Sequence, residues 1–193
     1  AAVSRGADRL EAFSNSPPWW MTVSGCSAGA EDPNHDNLRE DAFDAFAEYL
    51  VDVAEHFHRA WGITFATLAP LNEPGANWWK AGKGQEGCRF GPPAQARILR
   101  AVAAGLEGRG LPIRVSAMDA HAVSWAIHHV QAYDPEARGV ISRLNTHAYR
   151  RDKRAELRNL AAGRGLGLWM SEFDMGSNGA GHDHAAVGPG IDL

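Results

Sequence analysis

The chain contains no apolar run approaching the roughly 20 residues needed to span a bilayer, so no membrane segment is expected from it. Positive charge is not in excess either. Lys and Arg number 19 against 23 Asp and Glu, for a net charge of −4, and a surface of that balance gives no footprint for nucleic acid. Cysteine is scarce. Cys26 and Cys88 are the only two, too few for a disulfide scaffold, and no CxxC or thiolate zinc pattern is present. One bridge and two plain thiols both remain open. Internal repeats, low-complexity tracts and charge blocks are missing. The opening AAVSRGADRLEAF lacks the apolar core of a signal peptide and an initiator Met. It reads as the end of a helix running into a strand, so the chain is expected to begin inside a domain.

What remains is an ordinary globular composition, 45% hydrophobic and 22% charged over 193 residues, sufficient for one domain with a sizeable core. Tryptophan stands out. Seven residues include the pairs Trp19-Trp20 and Trp78-Trp79. Indole stacks well on the C–H face of a sugar ring, and it serves equally well in a core. The nine histidines raise the question of a metal. His56 and His58 do not share a helix face, and His128 and His129 are adjacent. His182-Asp183-His184 lies in a Gly-rich tail that could hold a stray cation. No functional metal or other cofactor is expected.

Apolar periodicity alternates along the chain. Residues 10–14 and 19–23 look extended around a Pro-Pro turn. Asn37, with Glu40 three residues on, offers a capping-box-like start to a helix with Phe43, Phe46, Leu50, Val53 and Phe57 on one stripe, ended by Gly62. Residues 63–69 form a short buried strand. A Gly-rich loop over 75–91 leads to a second helix, with Pro92 and Pro93 in its first turn, Ile98, Val102 and Leu106 on one face, and Gly108 and Gly110 at its end. Strands follow at 112–118, 140–146 and 166–173, separated by helices over 122–131 and from Asp152, a candidate cap, to Gly163. Strands joined by helical crossovers imply a parallel sheet. Both a doubly wound sheet and a (β/α)8 barrel fit. A complete barrel needs roughly 250 residues, so the length suits about five of its eight units.

In either fold the active site lies at the carboxyl ends of the strands. Pro70-Leu71-Asn72-Glu73-Pro74 follows one strand, and Trp169-Met170-Ser171-Glu172-Phe173 closes another. His147-Ala148-Tyr149 and Asp119 stand at strand ends between them; Asp119 could close a subsite or cap the next helix, and the cap is the favoured reading. Two carboxylates surrounded by Trp suggest cleavage of a glycosidic bond. One carboxylic acid must protonate the leaving oxygen, while the other carboxylate attacks the sugar carbon or activates water.

Asn72-Glu73-Pro74, with Ser171-Glu172 about a hundred residues later, resembles the clan of retaining (β/α)8 glycosidases, in which the acid/base Glu ends strand four and the nucleophile Glu ends strand seven. The fit is closer to glycoside hydrolase family 30. Ser14-Asn15-Ser16-Pro17-Pro18-Trp19-Trp20-Met21 is similar to that family's strand-three motif, and Leu71-Asn72-Glu73-Pro74 followed by Trp78-Trp79 and Gln85-Glu86-Gly87-Cys88 resembles its endo-β-1,6-galactanase branch. The resemblance implies an α/β fold present as a partial (β/α)8 TIM barrel, about strand 3 to strand 7. Residues 1–193 would then be the central portion of one catalytic domain truncated at both ends, which expressed alone is expected to be poorly soluble or inactive.

By position the resemblance makes Glu73 the acid/base and Glu172 the nucleophile. Asn72 would bind the sugar 2-hydroxyl, and Asn15 and Trp20 would line the reacting subsite. His147 and Tyr149 would sit beside Glu172, and Trp78 and Trp79 would form further sugar platforms. It implies retention of configuration, with carboxyl groups about 5–5.5 Å apart, and a secreted hydrolase that is monomeric at full length and acts on β-1,6-galactan such as arabinogalactan side chains. Other substrates of the family (β-glucan, xylan, fucosidic chains) and a non-catalytic carbohydrate-binding barrel are the alternatives.

Overall fold

A polar cluster on the inner face of a parallel sheet organises the molecule. The computed structural model describes residues 2–150 and 152–173. Five parallel strands, β1 (Glu11–Phe13), β2 (Thr67–Ala69), β3 (Arg114–Ala122), β4 (Ile141–Arg150) and β5 (Gly167–Glu172), lie side by side in the order in which the chain makes them. All four pairings are parallel. A doubly wound sheet reverses its strand order at a switch point. This one never reverses, so among the described residues it is a half-barrel of βα units.

The connections follow the sequence pattern. Helix α1 (Phe43–Trp61) buries Phe43, Phe46, Ala47, Leu50, Val51 and Ala54. It closes on Gly62 at φ 65°, whose N–H returns to Phe57 O, a left-handed terminus that glycine adopts without a steric penalty. Helix α2 (Pro92–Gly108) carries its two prolines at the first positions and buries Ile98, Leu99, Val102 and Leu106. Helix α3 (Val123–Ala132) follows β3 directly, and a short α4 (Pro135–Val140) is capped by the Asp134 side chain on Ala137 N–H at 2.8 Å. Helix α5 (Arg154–Gly163) precedes β5. These helices and the outward-facing Val115, Ala117 and Leu144 form one continuous apolar core. Side chains alternate across a strand, so the neighbours of those residues point the other way.

There each strand contributes one or more members to a single cluster. The Glu11 carboxylate on β1 accepts hydrogen bonds from Thr67 on β2 (2.5 Å), Ser116 on β3 (2.6 Å) and both Asn145 (2.6 Å) and Arg143 on β4. The Arg143 guanidinium lies over the Trp169 ring of β5, 3.4 Å from its centroid. A buried charge is tolerable only when paired and hydrogen-bonded, and this register meets that demand. A slip by one residue turns every inner side chain outward.

Four local expectations are corrected. Residues 19–23 are not extended, since Trp19–Met21 form a 3-10 turn after Pro18. Asn37 does not cap α1. Its side chain accepts from Ser24 N–H at 3.1 Å and donates to Cys26 O at 3.3 Å, holding the preceding loop, while a 3-10 turn over Glu40–Ala42 leads into the helix. Asp152 does not cap α5, whose first flanking residue is Lys153 in the left-handed region. The strand expected over 63–69 is Thr67–Ala69, with Ala66 N–H extending the ladder to Leu10 O. Pro70 stops it, having no N–H to offer. Cys26 and Cys88 are both free thiols, and the latter is buried. No described helix is long and apolar enough to cross a membrane.

Replacing Glu11 with Ala leaves Arg143 buried without its carboxylate. The intact protein is expected to lose about 3–5 kcal/mol of unfolding free energy, read by urea denaturation. A loss below about 1 kcal/mol would mean that the cluster does not hold the register.

Candidate active site

The carboxyl ends of β2, β3, β4 and β5 converge on one buried imidazole. His147, on β4 and fully buried, points along the same face as Arg143 and Asn145. Its Nδ1 stands 3.0 Å from Glu73 Oε1 and 3.4 Å from Glu172 Oε2. The two carboxylates therefore share one nitrogen, and their near oxygens are no farther apart than those two contacts laid end to end. On the other side of the ring, Nε2 lies 3.3 Å from Asp119 Oδ1, an ion-pair distance without hydrogen-bond alignment.

Three carboxylates around one ring decide its charge. Burial opposes the imidazolium, but contact with Asp119 and Glu73, together with the charge of Glu172, overcomes it and raises the His147 pKa to about 9. The ring is cationic at neutral pH. It has a proton for each nitrogen, so Nδ1–H donates to Glu73 Oε1.

The backbone around Glu73 is equally determined. Glu73 and Asp119 both adopt the left-handed region, at φ 43° and 54°, which residues with a Cβ rarely occupy. Such strain persists where the surroundings over-determine it, and it clusters at functional sites. Here Glu73 N–H donates to Asp119 O at 2.8 Å, and Trp79 Nε1–H donates to Glu73 O at 3.0 Å. Gly75, just beyond, lies against the His129 ring with no room for a Cβ. Asp119 is held in turn by the Ser171 hydroxyl, one residue before Glu172. The two catalytic candidates are thereby linked through backbone and side chain as well as through His147.

Tyr149 O–H donates to Glu172 Oε2 at 2.9 Å. Asn72 is buried and donates from Nδ2 to Asn15 Oδ1 at 3.2 Å, while its own Oδ1 has no partner. A cleft of about 330 Å³ opens above these groups, lined by Asn72, Glu73, Trp78, Gln85, His121, Tyr149 and Glu172. Of the expected site residues, it gathers Asn72, Glu73, Trp78, Tyr149 and Glu172, with His147 beneath. Asn15 touches the cleft through Asn72 and itself lines a neighbouring cavity beside β1. Trp20 is half exposed, edge-on to Trp19, and is not among the cleft's lining residues. Trp79 departs from the expectation. It is 2% exposed and packs under Gly87, so it offers no face to a sugar and instead anchors the Glu73 carbonyl.

The cap reading of Asp119 is also corrected. β3 continues past it to Ala122, so it caps no helix and belongs to the site. His121 and Gln85 were not expected among the site residues. For His121 a signal existed: it stands two residues beyond Asp119, on the same side of a strand that appeared to stop at Met118. No group of three or more His, Cys, Asp or Glu side chains is placed to hold a metal ion among the described residues, and His182-Asp183-His184 lies outside them.

A family model described as O-glycosyl hydrolase family 30 matches residues 1–142. An endo-beta-1,6-galactanase of Hypocrea rufa is 34% identical over 174 residues, covering 89% of this chain and 36% of that protein. An exo-beta-1,6-galactobiohydrolase of Bifidobacterium longum is 24% identical over 206 residues, 86% of this chain and 13% of that one. The chain thus spans about a third or less of the length of these curated relatives. A conserved exported protein from Bacteroides fragilis superposes with a TM-score of 0.74 at 22% identity, over 93% of this chain and 42% of its own, a likeness of fold.

Stability should carry the signature of His147. Its ordinary pKa is 6.5, and the fold raises it to about 9. The imidazolium therefore contributes stability fully below about pH 6.5, which is lost as pH rises through about 9. Melting temperature should fall across that window, and the fall should flatten in His147→Asn. Parallel pH profiles for the two proteins would remove the assigned charge.

Proposed function

The chain belongs to O-glycosyl hydrolase family 30, and from that membership we propose that it carries the active site of a retaining endo-glycosidase cleaving β-1,6-linked galactan, such as arabinogalactan side chains, by double displacement. The observation carrying the mechanism is the shared nitrogen. Contacts of 3.0 and 3.4 Å to one imidazole nitrogen hold the two carboxylates close together. That favours the separation of about 5–5.5 Å of a retaining pair over the 6.5–9.5 Å of an inverting one.

In this reading Glu73, protonated in the productive complex, gives its proton to the glycosidic oxygen as the bond to the anomeric carbon breaks. Glu172 attacks that carbon and forms a glycosyl ester. Its Oε2 is occupied by the Tyr149 hydroxyl, which leaves Oε1 free to attack. Glu73 then takes a proton from water, and the water oxygen displaces Glu172 with a second inversion. Asn72, whose Oδ1 is buried without a partner, is suited to accept from the sugar 2-hydroxyl. Trp78, 42% exposed on the loop after Glu73, offers a stacking face. His147, with protons on both nitrogens, orients the carboxylates and exchanges none. The reaction uses only side chains and water, so the reading includes no cofactor.

The substrate follows from the relatives, both named for β-1,6-linked galactose. A polysaccharide substrate is met outside the cell, which agrees with an exported structural relative; the reading is of a secreted enzyme, monomeric at full length, whose partner is the polysaccharide and neither membrane nor nucleic acid. Digests of β-1,6-galactan by the full-length protein should yield short galacto-oligosaccharides whose new reducing ends are initially β by proton NMR. Glu73→Gln and Glu172→Gln should each lower kcat by about 10²–10⁴-fold while the polysaccharide still binds. Release from xylan or β-1,6-glucan alone would exclude the galactan assignment, and turnover by the Glu variants would leave a binding protein on a barrel.

A further inference from the structure

His121 is placed for a task that the catalytic pair does not explain. It lies in the wall of the cleft that holds Glu73 and Glu172, and only 8% of it is exposed. Its ring stands edge-on between two indoles, 4.9 Å from Trp78 and 4.2 Å from Trp125 between centroids. Trp125 is partly buried against the apolar core, which anchors one side of the contact. The imidazole is thus clamped in one orientation, yet its Nδ1 is buried without a hydrogen-bond partner. Burying a polar atom unpaired is unfavourable, and packing alone would be served better by an apolar ring at this position. The arrangement resembles a binding group held ready for its partner.

The position within the cleft indicates which partner. Trp78 and Gln85 belong to the loop that follows Glu73 in the chain, and Trp78 packs against His121 in the lining of the cleft. Glu73 is also the carboxylate whose charge reaches His121. Tyr149, by contrast, hydrogen-bonds Glu172. In the proposed reaction Glu73 faces the departing oxygen, so the groups clustered beside it meet the sugar that leaves. We infer that His121 binds a hydroxyl of the sugar on the leaving side of the scissile bond and so sets the preference for a sugar there. The inference rests on the galactanase reading and extends it to a second subsite.

The chemistry fits a neutral hydroxyl. Burial pushes the His121 pKa down, and the charges of Arg150 and His147 act in the same direction against the opposing pull of Glu73. A neutral imidazole carries one N–H and one lone pair, and a sugar hydroxyl both donates and accepts. The same ring lacks the positive charge with which a carboxylate-bearing sugar would pair. An uncharged pyranose, stacked near Trp78 and hydrogen-bonded at His121, suits this pair.

The test compares wild type with His121→Phe in the full-length enzyme, because phenylalanine keeps a ring between the two indoles and removes both nitrogens. Two substrates separate the roles: unbranched β-1,6-galacto-oligosaccharides, with a sugar on the leaving side, and nitrophenyl β-galactobioside, whose leaving group is a phenol. Expected is a fall of about tenfold in kcat/KM on the oligosaccharides, the size of one hydrogen bond, with nitrophenyl release and melting temperature unchanged. Equal rates on the oligosaccharides would make His121 a packing residue. Equal losses on both substrates would place it at the reacting sugar or at Glu73, and would overturn the assignment just as directly. Wild type that cleaves neither galactose substrate would be a failure of the galactanase reading, and the His121 role would fall with it.

Discussion

One buried ring sets the terms for the rest of the site. Negative groups do not gather in a protein interior without a compensating charge, and the strand ends of β2, β3 and β5 bring Glu73, Asp119 and Glu172 to His147 on β4. The imidazolium makes that convergence tolerable. It also limits how far apart the two glutamates can sit, because one oxygen of each lies within 3.4 Å of the same nitrogen. The tolerance holds only if Glu73 leaves β2 at the right angle. Its left-handed backbone and the hydrogen bonds from Trp79 and to Asp119 are the local conditions for that.

Below the site, the Glu11 cluster solves the same electrostatic problem in reverse. There a single carboxylate is surrounded by donors from three other strands, and its guanidinium partner is covered by Trp169. Arg143, Asn145 and His147 occupy alternate positions on β4. The inner face of that strand therefore carries a positive group, an amide and a second positive group, each matched to what its neighbours present. Register errors in β4 would displace the two clusters together. The interior of this half-barrel is specified by charge and hydrogen bonding, while its outer face is specified by apolar volume.

That division explains what was legible beforehand. The outer face writes itself as periodicity: the Ile98, Val102 and Leu106 stripe and the Pro-Pro start of α2 appear where expected, as do Phe43, Phe46 and Leu50 of the α1 stripe. Val53, by contrast, is exposed and Phe57 only partly buried, since the second half of that buried face runs through Val51 and Ala54. Glu73 and Glu172 were legible as motifs at strand ends. Polar inner positions leave no such trace. β3 seemed to end at Met118 because Asp119 and His121 interrupt its apolar run, and so Asp119 read as a cap and His121 as nothing in particular. Trp79 sits beside Trp78 in sequence, but only packing shows that one indole lies under Gly87 and the other at the cleft. Asn37 carries the residue pattern of a cap and spends its side chain on the loop before it. Composition cannot separate these outcomes, since each depends on partners distant in the chain.

The histidines show most clearly why residue type alone decides so little. His129, buried near His128 and Arg89, is driven down to about 4 by lost hydration with those charges adding to the effect. His121 moves the same way for the same leading reason. His147 is the most deeply buried of the three by exposure, and it moves upward, because carboxylates outweigh desolvation only when they are in contact with the ring. The candidate site thus holds one imidazole that is positive, beneath the cleft on β4, and one that is neutral, in the wall of the cleft on the adjacent β3. The positive ring is suited to organise carboxylates and unsuited to meet an uncharged hydroxyl as both donor and acceptor. The neutral ring has the opposite aptitude. In the proposed enzyme that difference separates the residue that arranges the chemistry from the residue that selects the sugar.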